Sequence, residues 1–406
     1  MSPREQLLPP HMRVARLAES SAVHRAFRWL HLQEGRVAGW QRELVTIPAP
    51  PFGEERRARR FADHMRELGL EDVGLDEEGN AVGFLRKDEG SPVVLLSAHL
   101  DTVFPFETDV AVQEEGSVLR APGIADNGAG LAGLLAVAAC MRDGGLQTAT
   151  NIAFVANVGE EAEGNLRGMR HLFTRSGLAD RVVRSIALEG AGNQTVVTRG
   201  LGSRRFRVTV RGPGGHAWTD AGVPNPIVAL SSAIAQLVAT PLPERPRTTL
   251  NVGEITGGTS VTSVPQSAQA TFDLRSTDAE QILSLEVRLF RAVEDAVQRS
   301  NGQGPRALSA EIHCIGDRPA AALPADSRIL QAVHAVDRHL RLRTEERLGS
   351  TDANIPLALG RDAIAIGAGG TAGGIHTTNE WFDPAGRDLA LRRVLLILLD
   401  VCDGLL

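Results

Sequence analysis

Residues 93–104 read VVLLSAHLDTVF, an apolar run closed by His99 and Asp101. A continuous apolar segment of strand length, rather than an alternating one, marks a strand covered on both faces, as in a parallel sheet sandwiched by helices. His99 then stands at the carboxyl end of that strand, the edge at which open α/β sheets hold their ligands. Asp101, two residues on in extended chain, projects to the same side and is placed to accept the second imidazole N–H, fixing tautomer and basicity. Taken alone, a His-x-Asp pair is more often a surface or capping pair.

The pattern repeats outward from this stretch. NIAFVAN (151–157) and SIALEG (185–190) are further apolar runs, and AIAIG (363–367) is a fourth. Helical stretches near 128–142, 166–176, 325–340 and 387–404 alternate with them, which is α/β order with a parallel or mixed sheet. Before it, residues 16–70 have helical spacing, with a helix start at Gly53-Glu54 after IPAPPFG. Between about 200 and 315 the character changes to alternating strands, RRFRVTVRG, TTLNVGEITGG and QATFDLRS, with helices near 226–238 and 278–300. This reads as an inserted α+β unit over 201–315, leaving a discontinuous first domain of 1–200 and 316–406.

Composition narrows the chemistry. At 406 residues with 43% apolar content the chain exceeds one ordinary core, and two domains are expected. Its net charge of -6 arises from interspersed acids and bases, which argues against a nucleic-acid footprint and favours small or peptide-like partners. Lys87 is the only lysine and lies in FLRKDEG, a polar strand-to-loop context, so neither a phosphate-binding Gly-Lys-Ser/Thr loop nor a Schiff-base lysine is available. No G-x-S-x-G elbow occurs. Cys140, Cys314 and Cys402 have no pairing or CxxC spacing. The start, MSPREQLL, lacks an apolar signal region and no window suits a membrane span, so the expected setting is cytoplasmic.

Five more acids and histidines follow apolar strands or open helices. Asp126, in APGIADNGAG, precedes a Gly/Ala-rich helix; it reads either as an N-cap or as a carboxylate bridging two cations about 3.5–4 Å apart. Glu160 and Glu161, in ANVGEEAEG, form either a solvated acidic loop or a base beside a metal ligand. Glu189 ends SIALEG, and His376 follows the glycine-rich GGTAGG after the last apolar strand. His216 lies on the RGPGGHAW turn of the insert. Gly367, Gly369 and Ala372 satisfy G-x-G-x-x-A, but the chain runs on into His376 without opening a helix, which argues against a dinucleotide loop. His11, His24, His31 and His334 stand in helical stretches without companions and read as structural or solvated. Five residues at strand ends of one α/β pattern converge in space, and His, Asp and Glu without cysteine suit zinc, cobalt or manganese.

This ordered set resembles the dizinc peptidase family of tripeptide aminopeptidase (peptidase T), glutamate carboxypeptidase, succinyl-diaminopimelate desuccinylase and acetylornithine deacetylase. The match runs from about residue 40 through SAHLDT, ADNGAG, the Glu-Glu pair, LEG, GGHA, ITGGTSVTSVP, FDLRS and GGIHTTNE. The resemblance implies a catalytic domain with a mixed, mostly parallel sheet and an inserted ferredoxin-like lid and dimerisation domain. It implies two divalent ions, zinc foremost, with Asp126 bridging, His99 and Glu189 on one ion, and Glu161 and His376 on the other. Glu160 becomes the general base to a metal-bridging hydroxide, Asp101 orients His99, and His216 assists the oxyanion, in dimeric relatives from the partner subunit. Arg275, Thr262 and Gly370 become substrate contacts, and the Asp126–Asn127 peptide is expected to be cis. Asn127 and Gly128 depart from the acidic, lysine-containing run common there, and Thr262 stands where Asn is common. Glu189 matches the deacylases, whereas ADNGAG and GSTDANIP look more like peptidase T. The expectation is a peptidase acting on small peptides, with an N-acyl-amino-acid deacylase, or a non-catalytic binding relative, as alternatives.

Overall fold

The four apolar runs become neighbouring parallel strands. Asn151–Asn157 pairs with Val93–His99, which pairs with Val182–Leu188, which pairs with Asp362–Ile366, all in parallel register. Both Val93–His99 and Asn151–Asn157 are buried along their whole length, as expected of strands with helices on each face. Glu71–Leu75 and Ala81–Phe84 extend this sheet at one edge through antiparallel pairs, and Thr195–Gly200 continues it at the other. The computed structural model describes residues 8–86, 88, 90–302 and 307–405. The amino-terminal MSPREQL and the loop position of Lys87 lie outside the described residues.

Helix Gly128–Gly144 is apolar all round and almost wholly buried, which suits an inner helix rather than an amphipathic surface one. It is capped at its start by the Asn127 side chain and ended by Gly145 at φ 66°, a left-handed position that favours glycine. On the sheet's other face Val93, Leu95, Ala153 and Val155 pack with Leu166, Met169 and Leu172. Each of the Val, Leu and Met side chains contributes about 1.5–3 kcal/mol on leaving water, so the sheet centre is the rigid part from which loops are presented.

The chain divides into two compact units, one made of residues up to Gly200 and from Ala322 onward, the other Leu201–Ala321. The second unit runs in the order Gly202–Arg211, helix Pro226–Val238, Thr248–Gly257, Ser267–Ser276, helix Ala279–Asn301 and Ser309–Arg318. Its antiparallel sheet has Ser267–Ser276 and Gly202–Arg211 in the centre, flanked by Thr248–Gly257 and Ser309–Arg318. This is a βαββαβ, ferredoxin-like arrangement. Its core sets Phe206, Val208, Phe272 and Leu274 against Leu230, Ala233, Leu285 and Leu289. A boundary at residue 315 would cut through the strand Ser309–Arg318, which pairs with Gly202–Arg211 over its length; the unit therefore extends to Ala321.

Candidate metal centre

Parallel strands deliver their carboxyl ends to one edge. His99 is the last residue of its strand, Glu160 and Glu161 follow Asn157, Glu189 follows Leu188, and His376 lies on the loop beyond Ile366. His99 Nε2 stands 3.1 Å from Asp126 Oδ1 and 3.2 Å from Glu189 Oε1. His376 Nε2 stands 3.0 Å from Asp126 Oδ2 and 2.9 Å from Glu161 Oε1. The two triads thus share Asp126, one carboxylate oxygen to each.

The donor set fits a pair of ions. Two ligands held about 2.0–2.2 Å from one tetrahedral ion are about 3.3–3.6 Å apart, within a few tenths of an ångström of the nitrogen–oxygen separations of both triads. His99, Asp126 and Glu189 have donor atoms within 4.8 Å of one another, as do Asp126, Glu161 and His376. His99, Glu160 and Glu161 form a third such group, so Glu160 stands beside both ligand sets. No cysteine takes part, which leaves a nitrogen and oxygen donor set.

Charge explains the electrostatics. Burial alone would push His99 down, but Glu189, Asp101 and Asp126 reverse it and hold the imidazole well above its usual value. Hydrogen bonding to Asp126 raises His376 to about 9 despite its partial burial. Asp126 is lowered: desolvation would raise it, and the two histidines overcome that cost. Glu161 is raised, chiefly by burial. Three carboxylates and two imidazoles are held where a divalent charge would replace protons on the imidazoles.

Three side chains brace this cluster through the backbone. Asp101 is fully buried, and its carboxylate accepts the Glu160 N–H at 2.9 Å and the Glu161 N–H at 2.7 Å. The carboxylate is thus committed to the Glu160–Glu161 turn and stands 3.6 Å from His99 Nδ1; at 3.0 Å the nearer partner of that nitrogen is the Asp101 carbonyl. The Asp101 carboxylate therefore faces both the Glu160–Glu161 turn and His99, and helps to raise the imidazole. Asn127 donates to the Leu188 carbonyl at 2.8 Å and accepts from Gly130 N and Gly190 N, each at 3.1 Å. Glu380 accepts from Gly123 N at 3.2 Å, Ala125 N at 2.8 Å and Asp126 N at 2.9 Å. The Asp126–Asn127 peptide is cis.

Glu380 and Asp352 were missed by sequence reasoning, although Glu380 follows His376 by four residues and Asp352 lies in the quoted GSTDANIP. Asp352 is buried, accepts from Asn157 Nδ2 at 2.8 Å, and is raised to about 7 by burial. Nothing local distinguishes either acid from a solvated one; only packing shows that they are interior.

The remaining expected residues fall elsewhere. Gly370 is buried with φ 69°, and a Cβ there would meet the Asp383 carbonyl at 2.4 Å, so the position requires glycine on steric grounds. Gly367 likewise abuts the Ala191 carbonyl, and a strand, Thr371–Gly373, follows instead of a helix. In the second unit His216 is exposed, and its Nδ1 accepts from Trp218 N at 3.1 Å and Thr219 N at 3.3 Å, leaving Nε2 to carry the proton. Thr262 is exposed beside it, its carbonyl accepting the Ala217 N–H at 2.9 Å. Arg275 is paired with Asp273 at 2.6 Å.

Comparison with known proteins agrees with this geometry. The uncharacterized protein YgeY of Escherichia coli is 25% identical over 207 residues, 48% of this chain and 49% of that protein. The chain thus matches about half the length of that relative. Succinyl-diaminopimelate desuccinylase of Corynebacterium glutamicum is 25% identical over 336 residues, 80% of this chain and 86% of that enzyme. The crystal structure of a tripeptidase from Staphylococcus aureus superposes with a TM-score of 0.74 at 24% identity, covering 91% of this chain and 99% of that one. A family model spanning residues 95–399 matches across both units and both ligand triads, and on that match the chain belongs to Peptidase family M20/M25/M40.

Proposed function

We propose that this chain is a metal-dependent hydrolase that cleaves the peptide bond of a small peptide, in the manner of an aminopeptidase or di- or tripeptidase. The observation that carries the reading is the pair of triads, His99–Asp126–Glu189 and Asp126–Glu161–His376, sharing one carboxylate with Glu160 adjacent. When bound, two divalent cations there would polarise an amide carbonyl and lower the pKa of water. Zinc suits the ligands, and cobalt or manganese is compatible with a carboxylate-rich nitrogen and oxygen set.

The residues divide the work. Glu160 takes the proton of the attacking water and returns it to the leaving amine nitrogen, for which its turn is held by Asp101. His216 presents Nε2–H as a donor to the oxyanion. Arg275 and Thr262 serve the substrate's polar end. The chain acts as a cytoplasmic homodimer through its second unit, a reading supported by its resemblance to dimeric relatives. Among the described residues no helix is long and apolar enough to cross a membrane.

Deacylation of an N-acyl amino acid is the second reading, favoured by Glu189 and by the likeness to a desuccinylase. One screen separates them: tripeptides and dipeptides against N-acetyl and N-succinyl amino acids, each with zinc, cobalt or manganese supplied. Turnover of free-amino peptides is expected; preference for the acylated compounds would establish the second reading. Binding without turnover in metal-loaded protein would point to a non-catalytic relative. Light scattering with and without metal tests the dimer.

A further inference from the structure

Asn127 and Glu380 do more than local chain architecture requires. A helix N-cap needs one acceptor for one early N–H, and Asn127 supplies that to Gly130. Its other two hydrogen bonds reach Leu188 O and Gly190 N, bracketing Glu189 on both sides. Glu189 depends on such a bracket, because its Oε1 meets His99 while its Oε2 has no protein hydrogen-bond partner. Gly130 makes room for this arrangement: a Cβ there would come within 2.1 Å of Asn127 Oδ1.

Glu380 performs the matching task on the other side. Its buried carboxylate gathers the N–H groups of Gly123, Ala125 and Asp126, while its own N–H donates to the Thr377 carbonyl next to His376. It therefore ties the Asp126 loop to the His376 turn. His376 itself sits at φ 63°, a left-handed conformation that a non-glycine residue holds only when its surroundings impose it.

We infer that Asn127 and Glu380 are positioning residues that set the two ion sites separately, Asn127 holding Glu189 against Asp126 in the first triad and Glu380 holding Asp126 against His376 in the second. The inference rests on the metal-centre reading above. Outer partners of metal ligands typically change affinity about 10–100-fold; Asp126 is common to both sites, but the tethers end beside Glu189 in one triad and beside His376 in the other, so each loss should fall mainly on one site.

The test is titration of metal-free full-length protein with Co(II), following visible absorption and stoichiometry, with Glu189→Ala and His376→Ala as single-site spectral references. Wild type is expected to take up two ions. Asn127→Ala should weaken one site about 10–100-fold, leave the other within about threefold, and give at intermediate Co(II) the spectrum of Glu189→Ala. Glu380→Gln should do the converse and match His376→Ala. Gly130→Ala, which displaces the Asn127 amide without removing it, and Glu380→Asp, which keeps the charge, carry the test if the first variants misfold. Equal weakening of both sites, or unchanged affinities in folded variants, overturns the inference alone. Fewer than two ions in wild type overturns the inference and the metal-centre reading together.

Discussion

Glu160 is the proposed general base, and its neighbours show how a single side chain could be held for that task. Asp101 locks the two amides of the Glu160–Glu161 turn, so one glutamate is committed to the shared ligand set while the other stands beside it. Glu160→Ala is expected to bind the same metal complement as wild type, measured by elemental analysis, while kcat falls about 10²–10⁴-fold. Near-normal kcat would remove Glu160 from the proton path. Asp352 gives a second prediction. Its folded value of about 7 exceeds the ordinary 3.8 because burial penalises the charged form. A raised carboxyl is harmless to stability below its unfolded value and increasingly unfavourable as pH rises from there towards the folded one. In metal-free protein, denaturant unfolding should therefore show Asp352→Asn gaining on wild type by up to about 1.4 kcal/mol per pH unit between pH 4 and 7, and levelling off above. A pH-independent difference would refute this. Four metal-ligand candidates were legible because they end or follow apolar strands, and Asp126 because it opens the Gly/Ala-rich helix; Glu380 and Asp352 were not, because an acid in a loop looks the same in sequence whether solvated or buried.

Among the elements, the long parallel strands and the helices were readable from period and length. The edge strands Glu71–Leu75 and Glu345–Gly349 were not, being short and mostly exposed, with no apolar alternation to betray them. The small sheet in which Thr371–Gly373 pairs with Trp381–Asp383, and that strand with Val118–Arg120, joins segments some 260 residues apart, and its strands of three residues carry no periodic signal. Caps make element stability testable. Asp278 accepts from Glu280 N and Gln281 N at the head of Ala279–Asn301, the helix whose Leu285 and Leu289 sit in the second unit's core. Asp278→Ala should lower the stability of that unit by about 1 kcal/mol in thermal unfolding, with metal content unchanged. A coupled loss of metal would contradict the separation of the second unit's core from the ligand set.

For the molecule as a whole, metal removal is the broadest test. Ions that bind only the folded chain stabilise it by mass action, about 2.7 kcal/mol for a site held at a hundredfold excess over its Kd. Chelation should lower the unfolding temperature, and readdition of zinc or cobalt should restore it; an unchanged transition would argue against bound ions. The sequence by itself determined the α/β class, the inserted unit and the order of ligand candidates, because apolar period and strand-end position are local properties of the chain. Tertiary structure alone decided that Asp126 serves two triads, that the Asp101 carboxylate holds the Glu160–Glu161 turn, and that Asn127 and Glu380 reach across the fold to brace them. Those facts depend on which backbone amides lie within hydrogen-bond reach after residues far apart in the chain have been packed side by side, and no local pattern encodes that distance.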